Sequence, residues 1–130
     1  MVMFVERRPA MRACYAAALR ESGFLVDEIA SLGEALELAP RIRPDAIILS
    51  RELRGGDGWD VARKLKAADD TRDTQIVAFS SYAERADMER ALVAGCDSFV
   101  ETPCDPRMLV RHVRALLDMD LGDEELAAMA

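Results

Sequence analysis

Short apolar runs at Val2 to Val5, Phe24 to Val26, Ala46 to Leu49, Ile76 to Phe79 and Ser98 to Val100 are separated by longer stretches in which apolar residues recur every three or four positions. Brief apolar runs between turn formers predict strands, and the three-to-four spacing predicts helices with one buried face. After the first run, Pro9 suits a helix start, where a missing N–H costs nothing. Met11, Cys14, Tyr15, Ala18 and Leu19 then form a stripe closed by Gly23 as a C-terminal cap. Ser31 and Glu34 make a capping box ahead of Ala35, Leu36 and Ala39. Pro40 lacks an amide proton and is expected to end or kink this short second helix. Residues 54–58, rich in glycine, read as a tight turn, and Trp59, Ala62 and Leu65 give a third stripe running to about Ala68. A polar loop spans Asp69 to Thr74. Ala83 to Ala94 is helical in spacing with Gly95 after it, and Asp105-Pro106 opens a last helix through Leu109, Val110, Val113, Leu116 and Leu117.

Strands alternating with helices require right-handed crossovers and a parallel sheet covered on both faces. The expected fold is therefore α/β, a five-stranded parallel sheet doubly wound with five helices. In such sheets, binding and chemistry collect at the carboxyl ends of the strands. Those ends carry Glu6-Arg7, Ser50, Ser80-Ser81 and Glu101-Thr102, a polar set of hydroxyls with carboxylate and guanidinium groups.

The chain is 130 residues long, half of them hydrophobic, with a formal net charge of −7. That length buries about two-thirds of the unfolded surface, enough for one core without staples. Residues 1–118 are expected to form the domain and 119–130 an acidic, Ala-rich tail, frayed or helical. The acidic balance disfavours nucleic acid as a partner. The first apolar run is too short for a signal or spanning segment, which gives a cytoplasmic expectation and no membrane partner. Cys14, Cys96 and Cys104 are odd in number and lack CxxC spacing, so they are expected to be small buried hydrophobes rather than a disulfide frame or metal site.

Four segments together resemble the receiver domain of two-component response regulators over about residues 1–118: Pro44 to Leu49, Leu53 to Trp59, Ala91 to Asp97, and Thr102-Pro103. The resemblance implies a flavodoxin-like (CheY-like) sheet of order 2-1-3-4-5. In typical receivers two acidic residues end the first strand, an aspartate ending the third accepts phosphate from a histidine kinase, and a Ser/Thr and a Lys read that phosphate. Matched by its own motifs, this chain places Glu6 and Arg7 at the acidic pair, Ser50 at the phosphoacceptor, Ser80 at the hydroxyl switch and Thr102 at the lysine position. Phe99 falls at the aromatic switch, and Pro103 is retained.

Those replacements change the charge. A typical pocket of three carboxylates and one lysine suits a hard dication, whereas Glu6 and Arg7 sum to zero, so Mg²⁺ binding is expected to be lost. Ser50 is a weak nucleophile without a base, Glu6 being the one candidate nearby, and a phosphoserine would be a stable ester. Arg7 reads either as a built-in cation pairing with Glu6 or Glu52 or as a solvated arginine. Ser50 and Ser80 either bond across the pocket or satisfy local backbone. His112 is expected to be a partly exposed surface residue rather than a ligand, and Trp59 to pack in the core or its rim.

No catalytic or metal-ligating residue is expected, and the expected role is a non-enzymatic, phosphorylation-independent protein-interaction module, a pseudo-receiver. Its partners would be signalling proteins such as a histidine kinase or other regulators. The resemblance places the partner face on the fourth helix, fifth strand and fifth helix, with Tyr82, Arg85, Met88, Glu89, Phe99, Arg107 and Arg111, and the same face would serve a homodimer. Two alternatives stay open: phosphorylation at an unconventional residue such as Ser50, and a small-ligand sensor using the strand-end pocket.

Overall fold

The computed structural model describes residues 1–81 and 85–118. Its elements run β1 (Val2–Val5), α1 (Pro9–Glu21), β2 (Val26–Ile29), α2 (Leu32–Ile42), β3 (Ala46–Leu49), β4 (Glu52–Leu53), β5 (Gly56–Asp57), α3 (Gly58–Ala67), β6 (Gln75–Ser81), α4 (Arg85–Ala94), β7 (Ser98–Thr102) and α5 (Pro106–Asp118). Five strands pair in parallel in the order β2-β1-β3-β6-β7. The expected order is thus observed, with the tight turn at residues 54–58 resolving into the small antiparallel hairpin β4-β5.

Alternation along the strands sorts the core into two layers, because successive side chains leave a strand on opposite faces. Met3, Val5, Ile47, Leu49, Ile76 and Ala78 pack with Ala35 and Ala39 of α2, Trp59, Ala62 and Leu65 of α3, and Ala91 of α4. Val2, Phe4, Ile48, Val77 and Phe79 pack with Tyr15 and Leu19 of α1 and Leu109 and Val113 of α5. In this second layer the rings of Phe4 and Tyr15 meet that of Phe79 edge-on, at centroid distances of 5.2 and 5.0 Å. The Tyr15 hydroxyl donates to the Cys104 carbonyl at 2.6 Å, fastening α1 to the loop before α5.

Several expected boundaries move. The second strand is Val26–Ile29 rather than Phe24 to Val26: Phe24 still belongs to the cap of α1, its N–H bonded to the Leu19 carbonyl, with Gly23 at φ 98°. β2 lies at the sheet edge, where Asp27 and Glu28 are tolerated. Pro40 neither ends nor breaks α2, which runs to Ile42 and stops at Arg43 in the left-handed region. Proline in the last turn removes one hydrogen bond and leaves the earlier turns intact. β6 and β7 extend to Ser81 and Thr102, so both hydroxyl positions are strand residues. Cys14 is exposed, because the buried face of α1 is Tyr15, Ala16 and Leu19; Cys96 is buried and Cys104 half-buried. The expected start of the fourth helix at Ala83, the side chain of Arg85, and the tail 119–130 lie outside the described residues.

Candidate functional site

The carboxyl ends of β1, β3 and β6 open into a cleft of about 190 Å³. Glu6 follows β1 and is only 1% exposed, while Ser50 follows β3 and is 4% exposed. Ser80 and Ser81, at the end of β6, line the far wall with Asp87 of α4. Thr102 is in register with Ser81 across the β6–β7 pair but is not among the residues lining the cleft. Of the five pocket positions, the structure brings Glu6, Arg7, Ser50 and Ser80 together and leaves Thr102 beside them.

Three acid–arginine pairs line this space. Glu6 is held by Arg8, whose Nε lies 2.5 Å from Glu6 Oε1. Arg7 turns outward to Glu52 on β4, with Nη2 at 3.0 Å from Oε2, which selects Glu52 from the two partners its sequence position allowed. Arg51 reaches Asp87 Oδ1 at 2.6 Å and Asp57 Oδ2 at 3.5 Å, joining the loop after β3 to α4 and to the start of α3. Arg8, Arg51 and Asp87 are the residues that sequence reading missed. Arg8 is the N-cap of α1, and its side-chain direction follows from loop dihedrals rather than from strand alternation. Asp87 approaches from a helix 36 residues away.

Two buried polar atoms in the cleft wall have no protein partner, Glu6 Oε2 and Ser50 Oγ. Ser50 therefore neither bonds to Ser80 nor satisfies backbone, contrary to both expectations for it. Its main chain is fixed nonetheless. Ser50 N donates to Val5 O at 3.0 Å and Gly58 N donates to Arg51 O at 2.6 Å. A Cβ built on Gly58 would fall 2.0 Å from the Ser50 carbonyl oxygen, so only glycine permits this approach of α3 to the loop. Asp57 caps α3 by accepting from Trp59 N at 2.9 Å, and Trp59 itself is core, 1% exposed.

On the expected partner face, Phe99 is half-buried against the α2–α3 layer, and Arg107 and Arg111 are exposed on α5. Asp105 chelates the Arg107 guanidinium, and the hydrogen bonds from Arg107 hold the Asp105 carboxyl down at about 2. Arg111 has no ion pair among the described residues. Met88, Leu92 and Val93 leave apolar surface on α4, and Met108 does so on α5. Tyr82 lies outside the described residues. His112 is partly exposed, as expected, its Nε2 2.8 Å from Ser98 Oγ, and burial pushes its pKa below the ordinary value. No helix among the described residues is long and apolar enough to cross a membrane.

The sequence profile of the Response regulator receiver domain family matches residues 2–114. The chain is 28% identical over 116 residues to the phosphate regulon transcriptional regulatory protein PhoB of Escherichia coli, covering 89% of this chain and 51% of that protein. It is 37% identical over 92 residues to the response regulator PleD of Caulobacter vibrioides, covering 71% of this chain and 20% of that one. The chain thus spans about half the length, or less, of these curated relatives. Among solved structures, the receiver domain of a Syntrophus aciditrophicus signal transduction histidine kinase matches at 28% identity with a TM-score of 0.83, covering 90% of this chain and 89% of that one. The receiver domain of a Pseudomonas aeruginosa sensor histidine kinase, with a magnesium ion coordinated in its active-site cleft, matches at 28% identity and TM-score 0.83, covering 89% of this chain and 95% of that one. With its doubly wound sheet, its strand-end cleft and a profile match over most of its length, the chain belongs to the response regulator receiver domain family, the receiver module of two-component signalling.

Proposed function

We propose that this receiver is a pseudo-receiver, a phosphorylation-independent interaction module whose strand-end cleft has its carboxylates neutralised by its own arginines. The observation that carries this reading is the set Glu6–Arg8, Glu52–Arg7 and Asp87–Arg51, three carboxylates each neutralised by a guanidinium within the same cleft. The cleft residues do not fit the Mg²⁺ that a Pseudomonas relative coordinates. Hard dications take several oxygen ligands, most of them carboxylate or carbonyl. Here one oxygen of Glu6 is committed to Arg8, and Ser50 supplies a hydroxyl in place of an acid. A dication also meets guanidinium charge, and like charges about 4 Å apart repel by about 4 kcal/mol or more near a protein surface. A Ser50 hydroxyl with no base bonded to it is a poor acceptor for a phosphoryl group.

Its partners, on this reading, are signalling proteins of the kind receivers meet, a histidine kinase or another regulator. They are engaged through the α4–β7–α5 face, where Tyr82 and Phe99 anchor and Arg107 and Arg111 orient. Two measurements test this. Intact-mass analysis after incubation with acetyl phosphate or a phosphohistidine donor, with and without Mg²⁺, should return no phosphoryl adduct; a stoichiometric adduct overturns the reading. Binding to a partner recovered from the native host should weaken in Tyr82→Ala and Arg107→Glu and stay level in Ser50→Ala. If Ser50→Ala alone abolishes binding, the cleft is the working site.

A further inference from the structure

α5 presents a row of arginines toward α1. Arg107, Arg111 and Arg114 line a groove of about 260 Å³ between the two helices, with Val110 and Ala18 as its apolar lining. None of the described residues lining it belongs to α4 or β7, so it is a surface apart from the α4–β7–α5 face. Spacings of four and three residues put the arginines on one side of the helix, about 6 Å and about 4.5 Å apart along its axis. The two ends of the row are tied. Asp105 holds Arg107 through Nε and Nη2, and Arg114 Nη2 donates to the Ser22 carbonyl at 2.8 Å. Arg111, between them, has no ion pair among the described residues, although its charge reaches Asp105. Glu21 is the one acidic residue among the described residues lining the groove. Three guanidiniums against the carboxylates of Glu21 and Asp105 leave the groove net positive, in a chain whose formal net charge is −7.

That arrangement selects among anions. Guanidiniums anchored to Asp105 at one end and to Ser22 at the other cannot converge on one small anion without giving up those bonds. A helix with carboxylates four and three residues apart repeats the spacing of the arginines and meets the row as it stands. Val110 and Ala18 point the same way, because an inorganic anion leaves them uncovered whereas an apolar side chain removes them from water.

We propose that the α1–α5 groove docks an acidic amphipathic helix of a partner protein, its carboxylates on Arg111 and Arg114 and an apolar side chain over Val110 and Ala18. Arg107, already bonded to Asp105, borders the site, and Glu21 opposes the partner. Arg111 is the residue shared with the partner face assigned above, and Glu21 belongs to the groove alone. The proposal does not rest on that face, and either surface can fail its test while the other passes.

The probe is a blocked peptide of about 15 residues, the length at which an isolated helix begins to hold in water. It carries Glu four and three residues apart on one face with Leu beside them, and is titrated into the full chain while backbone amide shifts are followed. The amides of Ser22 and of residues 107–114 should move saturably and those of α4 should stay in place. Arg111→Gln should weaken binding about two- to fivefold, and Glu21→Gln should tighten it by a similar factor, the range of exposed charge pairs. Both positions are exposed, so neither exchange threatens the fold. The same peptide with Gln for every Glu should not bind, nor should inorganic phosphate at equal concentration. The proposal is overturned if the Gln peptide or phosphate moves the groove amides as strongly, if the shifts map to α4 and β7, or if Glu21→Gln weakens binding. It is equally overturned if the groove amides shift with the chain's own concentration before peptide is added, which would give the groove to a second copy.

Discussion

Arg8, rather than its neighbour Arg7, neutralises Glu6: its Nε stands 2.5 Å from a carboxylate that is only 1% exposed, while Arg7 pairs with Glu52 at the surface. The two arginines are adjacent in sequence, but they differ in what their loss leaves behind. A buried carboxylate without its partner keeps its desolvation cost, whereas an exposed one returns to water.

Arg8→Met should therefore lower stability by about 1–3 kcal/mol, and Arg7→Met by less than about 1 kcal/mol. Urea unfolding monitored by Trp59 fluorescence measures both. Equal losses would mean that Arg8 does not carry the Glu6 charge.

Millimolar Mg²⁺ should leave Trp59 fluorescence and the amide shifts around Glu6 unchanged. Restoring the acids and the lysine with Arg7→Asp, Ser50→Asp and Thr102→Lys leaves Arg8 still on Glu6, so the structure adds a fourth change, Arg8→Met. The fourfold variant should gain Mg²⁺-dependent labelling by acetyl phosphate and should exceed the threefold one. If neither folded variant is labelled, the loops and not the side chains hold the cleft silent.

The three thiols should separate by reactivity at pH 8. Burial pushes Cys96 up to about 12, so its thiolate fraction in the folded chain is about one in ten thousand. Cys14, exposed on α1, should react with a maleimide first, Cys104 more slowly, and Cys96 only on unfolding. Peptide mapping of the adducts over time reads the order directly.

His112 gives the fold a pH dependence of definite sign. Its folded pKa lies below the unfolded value because burial disfavours the imidazolium, so the unfolded chain binds the proton more readily. The contribution is present above the unfolded pKa of 6.5 and is lost as pH falls through the folded value. His112→Gln should flatten the fall in urea midpoint between about pH 7 and pH 5. An unchanged slope would assign the loss to other groups.

The fold was legible because brief unbroken apolar runs such as Val2 to Val5 and Ala46 to Leu49 fit buried parallel strands, and the three-to-four spacing between them reports helices. Pro40 and Cys14 misled for opposite reasons. A proline in a final turn removes one bond without ending the helix, and a cysteine beside Tyr15 is turned about 100° away from it around the axis. At the site, the residues that follow a strand end, Glu6 and Ser50, were readable as positions. Their partners were not. Arg8 acts from a helix cap and Asp87 from a distant helix, and no local period encodes either.

Gly58 places main chain against main chain: where any other residue would interpose a Cβ, α3 begins in direct contact with the carbonyl of Ser50. Side chains yield by changing rotamer, but a peptide unit held by hydrogen bonds from both neighbours does not. A shift of α3 at this contact would have to move the main chain at Ser50, next to the Arg51 that pairs with Asp57 and Asp87. The strand-end cleft and the start of α3 therefore share one main-chain contact.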